Sequence, residues 1–127
     1  MRVLLIEPDL LQAKTLAAAV RHEGYEAIYA FSAQSAIQAA DEHDPDIIVM
    51  ELQLPGHNGI EFLYEFRSYP EWLHVPVIFY TFVPAHEFDG FKDLEPLLGV
   101  KRILYKPTTS LAMLCSILGQ TGASSSA

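Results

Sequence analysis

The chain has 127 residues, half of them hydrophobic, with 8 Lys plus Arg against 16 Asp plus Glu, a net charge of −8. A chain of this length fits one domain that buries roughly two-thirds of its unfolded surface without a staple, and its excess of acid disfavours direct contact with nucleic acid. The lone cysteine, Cys115, excludes an internal disulfide and a thiolate metal site; no apolar run reaches the ~18 to 20 residues of a membrane span, so the expectation is a soluble, cytoplasmic protein with no membrane partner.

Val3 to Ile6 is an unbroken apolar run of strand length, as a strand covered on both faces shows. Asp9 stands at an N-cap position, Ala13, Leu16, Ala17 and Val20 recur on one helix face, and Gly24 supplies a stop. Tyr25 to Ala30 reads as a second strand, Ser32 as the next cap, and Ala33, Ala36, Ile37 and Ala40 as the next helix face. Asp41 to Asp46 is a polar turn rather than a calcium loop, because it lacks the glycine and terminal glutamate of an EF-hand. Ile47 to Met50 forms the third strand; Asn58-Gly59 opens a helix carrying Ile60, Leu63 and Tyr64, closed by Pro70.

Val75 to Tyr80 is the fourth strand, with Pro76 tolerable near its start. Phe88, Phe91, Leu94 and Leu98 mark a fourth helix that Gly90 and Pro96 interrupt. Ile103 to Tyr105 makes a short fifth strand, and Leu111, Leu114, Cys115 and Leu118 form the face of a final helix. The expected domain covers residues 1–119, with the Gly/Ser/Ala segment 120–127 as flexible tail or linker stub. Five alternations of strand and helix predict a doubly wound α/β domain with a parallel sheet and right-handed crossovers.

Such sheets bind ligands at the carboxyl ends of their strands. The first polar groups there are Glu7, Glu51, Thr81 and Lys106, which places two carboxylates, a hydroxyl and an ammonium on one rim. These positions resemble the receiver domain of bacterial response regulators, from RVLLIEPD through residue 118. PDIIVMELQLPGHNGIEFL is similar to the phosphoacceptor strand and its loop, VPVIFYT to the strand ending in the switch hydroxyl, and GVKRILYKP to the strand ending in Lys-Pro.

The resemblance implies a flavodoxin-like (βα)5 sandwich with strand order 2-1-3-4-5. It also implies a phosphorelay, in which a histidine kinase phosphorylates an aspartate ending the third strand while that aspartate and an acidic pair after the first strand hold Mg²⁺. Thr81 matches the hydroxyl and Lys106 the lysine that contact the phosphoryl oxygens, and the Lys106–Pro107 bond is expected to be cis.

Two departures point away from that chemistry. Glu51 occupies the acceptor position, and Pro8 replaces the main metal-binding aspartate, leaving Glu7 alone of the acidic pair. Glutamate carries its carboxylate about 1.5 Å further out, and phosphoryl transfer loses on the order of a hundredfold for a ~1 Å misplacement. The extension instead directs Glu51 toward Thr81 and Lys106, imitating the modified state. Glu7, Asp9 and Glu51 are the remaining weak metal candidates, but Asp9 is expected to cap its helix, so no cofactor and no retained Mg²⁺ are expected.

Ile103 stands where the family carries a switching Tyr or Phe, which leaves Tyr105 or Tyr80 to fill that role. Lys101-Arg102 replaces an acidic pair used by dimerising transcription regulators, so a homodimer stays open but not on those salt bridges. His22, His43, His57, His74 and His86 lack ligand spacing and are assigned to the surface. Trp72, Phe82, Phe88 and Phe91 are candidates for a partner-binding patch, with irregular core packing as the alternative. The expected function is an atypical receiver that signals by binding another signalling protein or output domain and is not an enzyme. The alternatives are a phosphorelay receiver modified at Glu51 and, from another class, a small-ligand-binding or enzymatic domain. Against the last stands EPDLLQ where a GxGxxG phosphate loop belongs.

Overall fold

The computed structural model describes residues 1–87 and 96–126. Strands β1 (Arg2–Ile6), β2 (Glu26–Ala30), β3 (Ile47–Met50), β4 (Val77–Thr81) and β5 (Val100–Tyr105) form one sheet in the order β2-β1-β3-β4-β5. Every pairing in it is parallel. This is the doubly wound arrangement and strand order expected from the sequence.

The apolar runs of β1, β3 and β4 split by alternation between two cores, because side chains of a strand point to opposite faces and both faces are covered. Val3, Leu5, Ile47, Val49, Ile78 and Tyr80 pack with α1 (Leu10–His22) and the C-terminal helix (Leu111–Ser126). Leu4, Ile6, Ile48, Met50, Val77 and Phe79 pack with α2 (Ala33–His43) and α3 (Gly59–Arg67).

The helices begin where short polar side chains satisfy their first free amides, each cap worth about 1 kcal/mol. Asp9 accepts from the Gln12 N–H at 3.0 Å, Ser32 from Ser35 at 3.2 Å and Asn58 from Glu61 at 2.9 Å. Gly24, at φ +90°, follows α1 in a conformation few other residues adopt, and Asp44, at φ 48°, ends α2 the same way.

Several elements differ from expectation. β5 runs from Val100, three residues earlier than the apolar pattern shows, because exposed Lys101 and Arg102 lie within it. α3 buries Phe62, Leu63 and Phe66 and leaves Tyr64 61% exposed, so its inner face is not the Ile60–Leu63–Tyr64 stripe. The cause is a ring stack: Phe66 lies 5.6 Å from Phe62 and 4.8 Å from Trp72, whose own turn is Pro70–Trp72. Trp72 is therefore a core residue at 3% exposure, which removes it from the proposed partner patch. Phe82 is 53% exposed, whereas Phe88 and Phe91, like most of the expected fourth helix, lie outside the described residues. Residues 96–98 are helical, with Leu98 buried.

The C-terminal helix continues to Ser126, through the stretch read as a tail. Gly and Ser weaken a helix, but this one is already nucleated on the buried Leu114, Ile117 and Leu118, and the Thr121 hydroxyl donates back to the Ile117 carbonyl at 2.8 Å. Arg67 ends α3 and ties three segments together. Its guanidinium donates to the carbonyls of Leu98 at 2.9 Å, Trp72 at 2.6 Å and Val75 at 2.5 Å. Burial lowers the pKa of that guanidinium.

Candidate functional site

Parallel pairing in register delivers four polar residues to one end of the sheet. Ile6 pairs with Met50, Met50 with Phe79, and Thr81 with Tyr105. Glu7, Glu51, Thr81 and Lys106 thus meet at a common level, at the ends of β1, β3, β4 and β5. Glu7 is 3% exposed, Glu51 5% and Thr81 fully buried.

The Lys106 ammonium is the centre of the cluster. Its three N–H groups donate to Glu7 Oε1 at 2.5 Å, to Gln12 Oε1 at 2.9 Å and to Glu51 Oε1 at 3.2 Å, which uses its full donor capacity. The rings of Phe82 and Tyr80 stand 4.9 and 5.7 Å from the same nitrogen, within reach of cation–π attraction.

Glu51 is bonded on both oxygens. Its Oε2 accepts from the Leu52 amide at 2.5 Å, the Gln53 amide at 3.2 Å and the Thr81 hydroxyl, while Oε1 also faces the Phe82 amide at 3.4 Å. Thr81 accepts in turn from the Val83 amide at 3.1 Å, and Glu7 Oε2 accepts from the Asp9 amide at 3.1 Å. Two carboxylates beside one ammonium leave a single negative charge. Such a buried pair is stable because its hydrogen bonds are complete rather than through Coulomb attraction alone.

Mg²⁺ prefers octahedral oxygen donors and keeps several waters. Here Glu7 and Glu51 both contact the Lys106 ammonium, position 8 offers only the carbonyl of Pro8, and the Asp9 carboxylate is engaged in its helix cap. Among the described residues no group of three or more His, Cys, Asp or Glu side chains is placed to hold a metal ion. This donor set is a poor match for the ion.

Gln12 and the backbone amides of Leu52, Gln53 and Phe82 join the site without having been foreseen. Gln12 lies three residues past its cap, where a helix starting at the rim presents a side chain toward it; that position was the available signal. Tyr80 is 8% exposed and its hydroxyl donates to the Thr109 carbonyl at 3.0 Å; burial raises its pKa, partly offset by Lys106. Ile103 is half-buried against the α2 and α3 core, and Tyr105 is half-buried.

The Lys106–Pro107 bond is trans, contrary to expectation. Pro107 sits in a tight turn, Lys106–Thr108, whose φ its ring already sets, and the turn closes by the Thr109 amide donating to the Lys106 carbonyl. His22, His43, His74 and His86 are exposed, and the side chain of His57 lies outside the described residues. Residues 41–43 belong to α2 rather than to the polar turn expected over 41–46, since the helix ends only at the left-handed Asp44, and Asp46 accepts from the Arg2 amide at 2.7 Å.

Comparison with known proteins places this geometry. The family model described as response regulator receiver domain matches residues 3–117. The chain is 35% identical over 105 residues to the polar-differentiation response regulator DivK of Brucella ovis, 83% of each chain. It is 40% identical over 72 residues to the transcriptional regulatory protein KdpE of Mycobacterium tuberculosis, 57% of this chain and 30% of that one. Among solved structures, a sensor protein from Polaromonas sp. JS666 superposes at TM-score 0.84 and 20% identity, covering 98% of this chain and 97% of that one. The chemotaxis response regulator CheY4 of Vibrio cholerae superposes at 0.81 and 21% identity, covering 94% and 96%. At those identities the likeness speaks for the fold, and no helix among the described residues is long and apolar enough to cross a membrane. Matched over residues 3–117 by the family model and over 83% of its length by a 35% identical relative, the chain belongs to the response regulator receiver domain family.

Proposed function

We propose that this receiver signals through protein–protein contact without phosphoryl transfer, its rim held by its own side chains. The observation that carries the reading is the position of Glu51, whose carboxylate already takes the Thr81 hydroxyl and the Lys106 ammonium. In the family these two groups receive phosphoryl oxygens, so Glu51 stands in for the modified aspartate. A carboxylate engaged by an ammonium, a hydroxyl and backbone amides is a weak nucleophile, and without a dication the charge of an incoming phosphoryl group has no counterweight beyond Lys106. The partner on this reading is another signalling protein or an output domain, met in the cytoplasm.

The test is incubation with acetyl phosphate and Mg²⁺, read as added phosphate by intact mass. The unmodified protein is expected to stay unmodified, while Pro8→Asp/Glu51→Asp, which supplies both missing groups, gains phosphate. A phosphorylated Glu51 in the parent protein would overturn the reading.

A further inference from the structure

A hollow of about 350 Å³ lies between α1 and the start of the C-terminal helix, beside the strand-end rim. Of its lining, Leu16 and Tyr80 are buried, whereas Leu11 is 74% and Phe82 53% exposed, so apolar surface stands open to solvent there. Pro107 and Leu111 extend the apolar lining. Three polar side chains share the hollow. Lys106 spends its N–H groups on Glu7, Gln12 and Glu51 and keeps no donor for an occupant. Thr15 donates its hydroxyl to the Leu11 carbonyl at 2.8 Å. Gln12 differs from both. An ammonium can only donate, so Lys106 holds the oxygen of the Gln12 amide, and the NH₂ end is left without an acceptor among the described residues.

We propose that this hollow binds an uncharged, largely apolar small molecule, of the size of two fused rings, that presents one hydrogen-bond acceptor such as a ketone to the Gln12 amide. Size selects first: ligand cavities run from ~300 to ~1,000 Å³, so this one takes a compact body and not a helix, which is ~10 Å across. Charge selects next. Lys106 is neutralised by Glu7 and Glu51, so neither an anion nor a cation finds an unspent countercharge for the hydration it would lose. A bound ring would rest against Phe82. The Phe82 amide faces Glu51 Oε1 at 3.4 Å and its ring stands 4.9 Å from the Lys106 ammonium, so an occupant abuts the rim without displacing its bonds. The proposal holds whether or not Glu51 accepts phosphate, because binding is read with no phosphodonor present.

The probe is Prodan, an uncharged naphthalene bearing a ketone, whose emission moves to the blue on leaving water. Titration with the full chain is expected to give a saturable blue shift. Leu11→Asp should weaken binding at least about tenfold by removing an apolar wall; the position is exposed and in the first turn of α1, where a carboxylate is tolerated. Tyr64→Asp, at a side chain 61% exposed on α3 across the sheet, should leave binding unchanged, which separates the hollow from general adhesion to apolar surface. The same naphthalene amine without the ketone, 2-dimethylaminonaphthalene, should bind about threefold more weakly to the parent protein, and Gln12→Leu should remove that difference. The anion 2-naphthoate should fail to compete. If Leu11→Asp loses its fold by urea melt, Phe82→Ala is read in its place, with a loss of at least about fivefold. No saturable shift, undiminished binding by the altered hollow, or an equal loss in Tyr64→Asp would overturn the proposal, as would competition by 2-naphthoate or the lack of a ketone preference.

Discussion

Lys106 holds together what would otherwise be a buried excess of acid. Its side chain is 5% exposed and lies between Glu7 and Glu51, whose side chains are 4% and 6% exposed. Lys106→Met keeps most of the aliphatic stem but leaves two uncompensated carboxylates, and breaking a buried pair in this way costs about 3–5 kcal/mol. Urea denaturation measures it, and a loss under about 1 kcal/mol would show that solvent screens the cluster. The four rim residues were legible because each marks an abrupt step from apolar strand to polar group. Gln12 was signalled only by its place three residues past the Asp9 cap, and its residue type says nothing of the ammonium it meets. The bonding of Glu51 to the amides of Leu52 and Gln53 was not legible, since it follows from how the chain turns after β3 rather than from which residues it contains.

At the level of elements, the apolar pattern located β1 and β3, which are buried on both sides, and the inner faces of α1 and α2. It shortened β5, whose Lys101 and Arg102 break the apolar run while keeping the ladder, and it misread α3, where Tyr64 is apolar enough to pass for an inward residue. Gly59, Phe62, Leu63 and Phe66, spaced i, i+3, i+4 and i+7, carry the buried face instead, and Phe66 stacks on Trp72. Arg67 gives a sharper test of how α3 is fixed. Arg67→Ala removes donors from three carbonyls at once, and charged hydrogen bonds of this kind are worth ~1.5–3 kcal/mol each before partial replacement by water. A loss of about 3 kcal/mol is expected in the unfolding free energy measured by urea denaturation. A loss below about 1 kcal/mol would mean that water replaces the guanidinium.

For the whole molecule, stability should decline in alkali. Burial raises the pKa of the Tyr80 phenol and of the Cys115 thiol, the latter with a further push from Glu23. A group with a higher pKa folded than unfolded binds more protons in the native state over the interval between the two. Its stabilising share is full below the unfolded value and is lost as pH rises through the folded one. The window opens near pH 9 for the thiol and near 10 for the phenol. Urea midpoints taken at about pH 8 and about pH 10.5 should fall, and less so in Tyr80→Phe/Cys115→Ala; a flat profile in the parent protein would refute this.

The two-sided burial of the central strands has a consequence for how the chain finds its alignment. Sliding β1 or β3 by one residue would exchange one set of aliphatic side chains for another, with no oil-to-water penalty to forbid it. What forbids it is the sheet's charged margin: a shifted strand would draw the Glu7 or Glu51 carboxylate in among hydrocarbons, or leave the lysine stranded. Those acids work as a latch that lets the ribbons interlock in one way only.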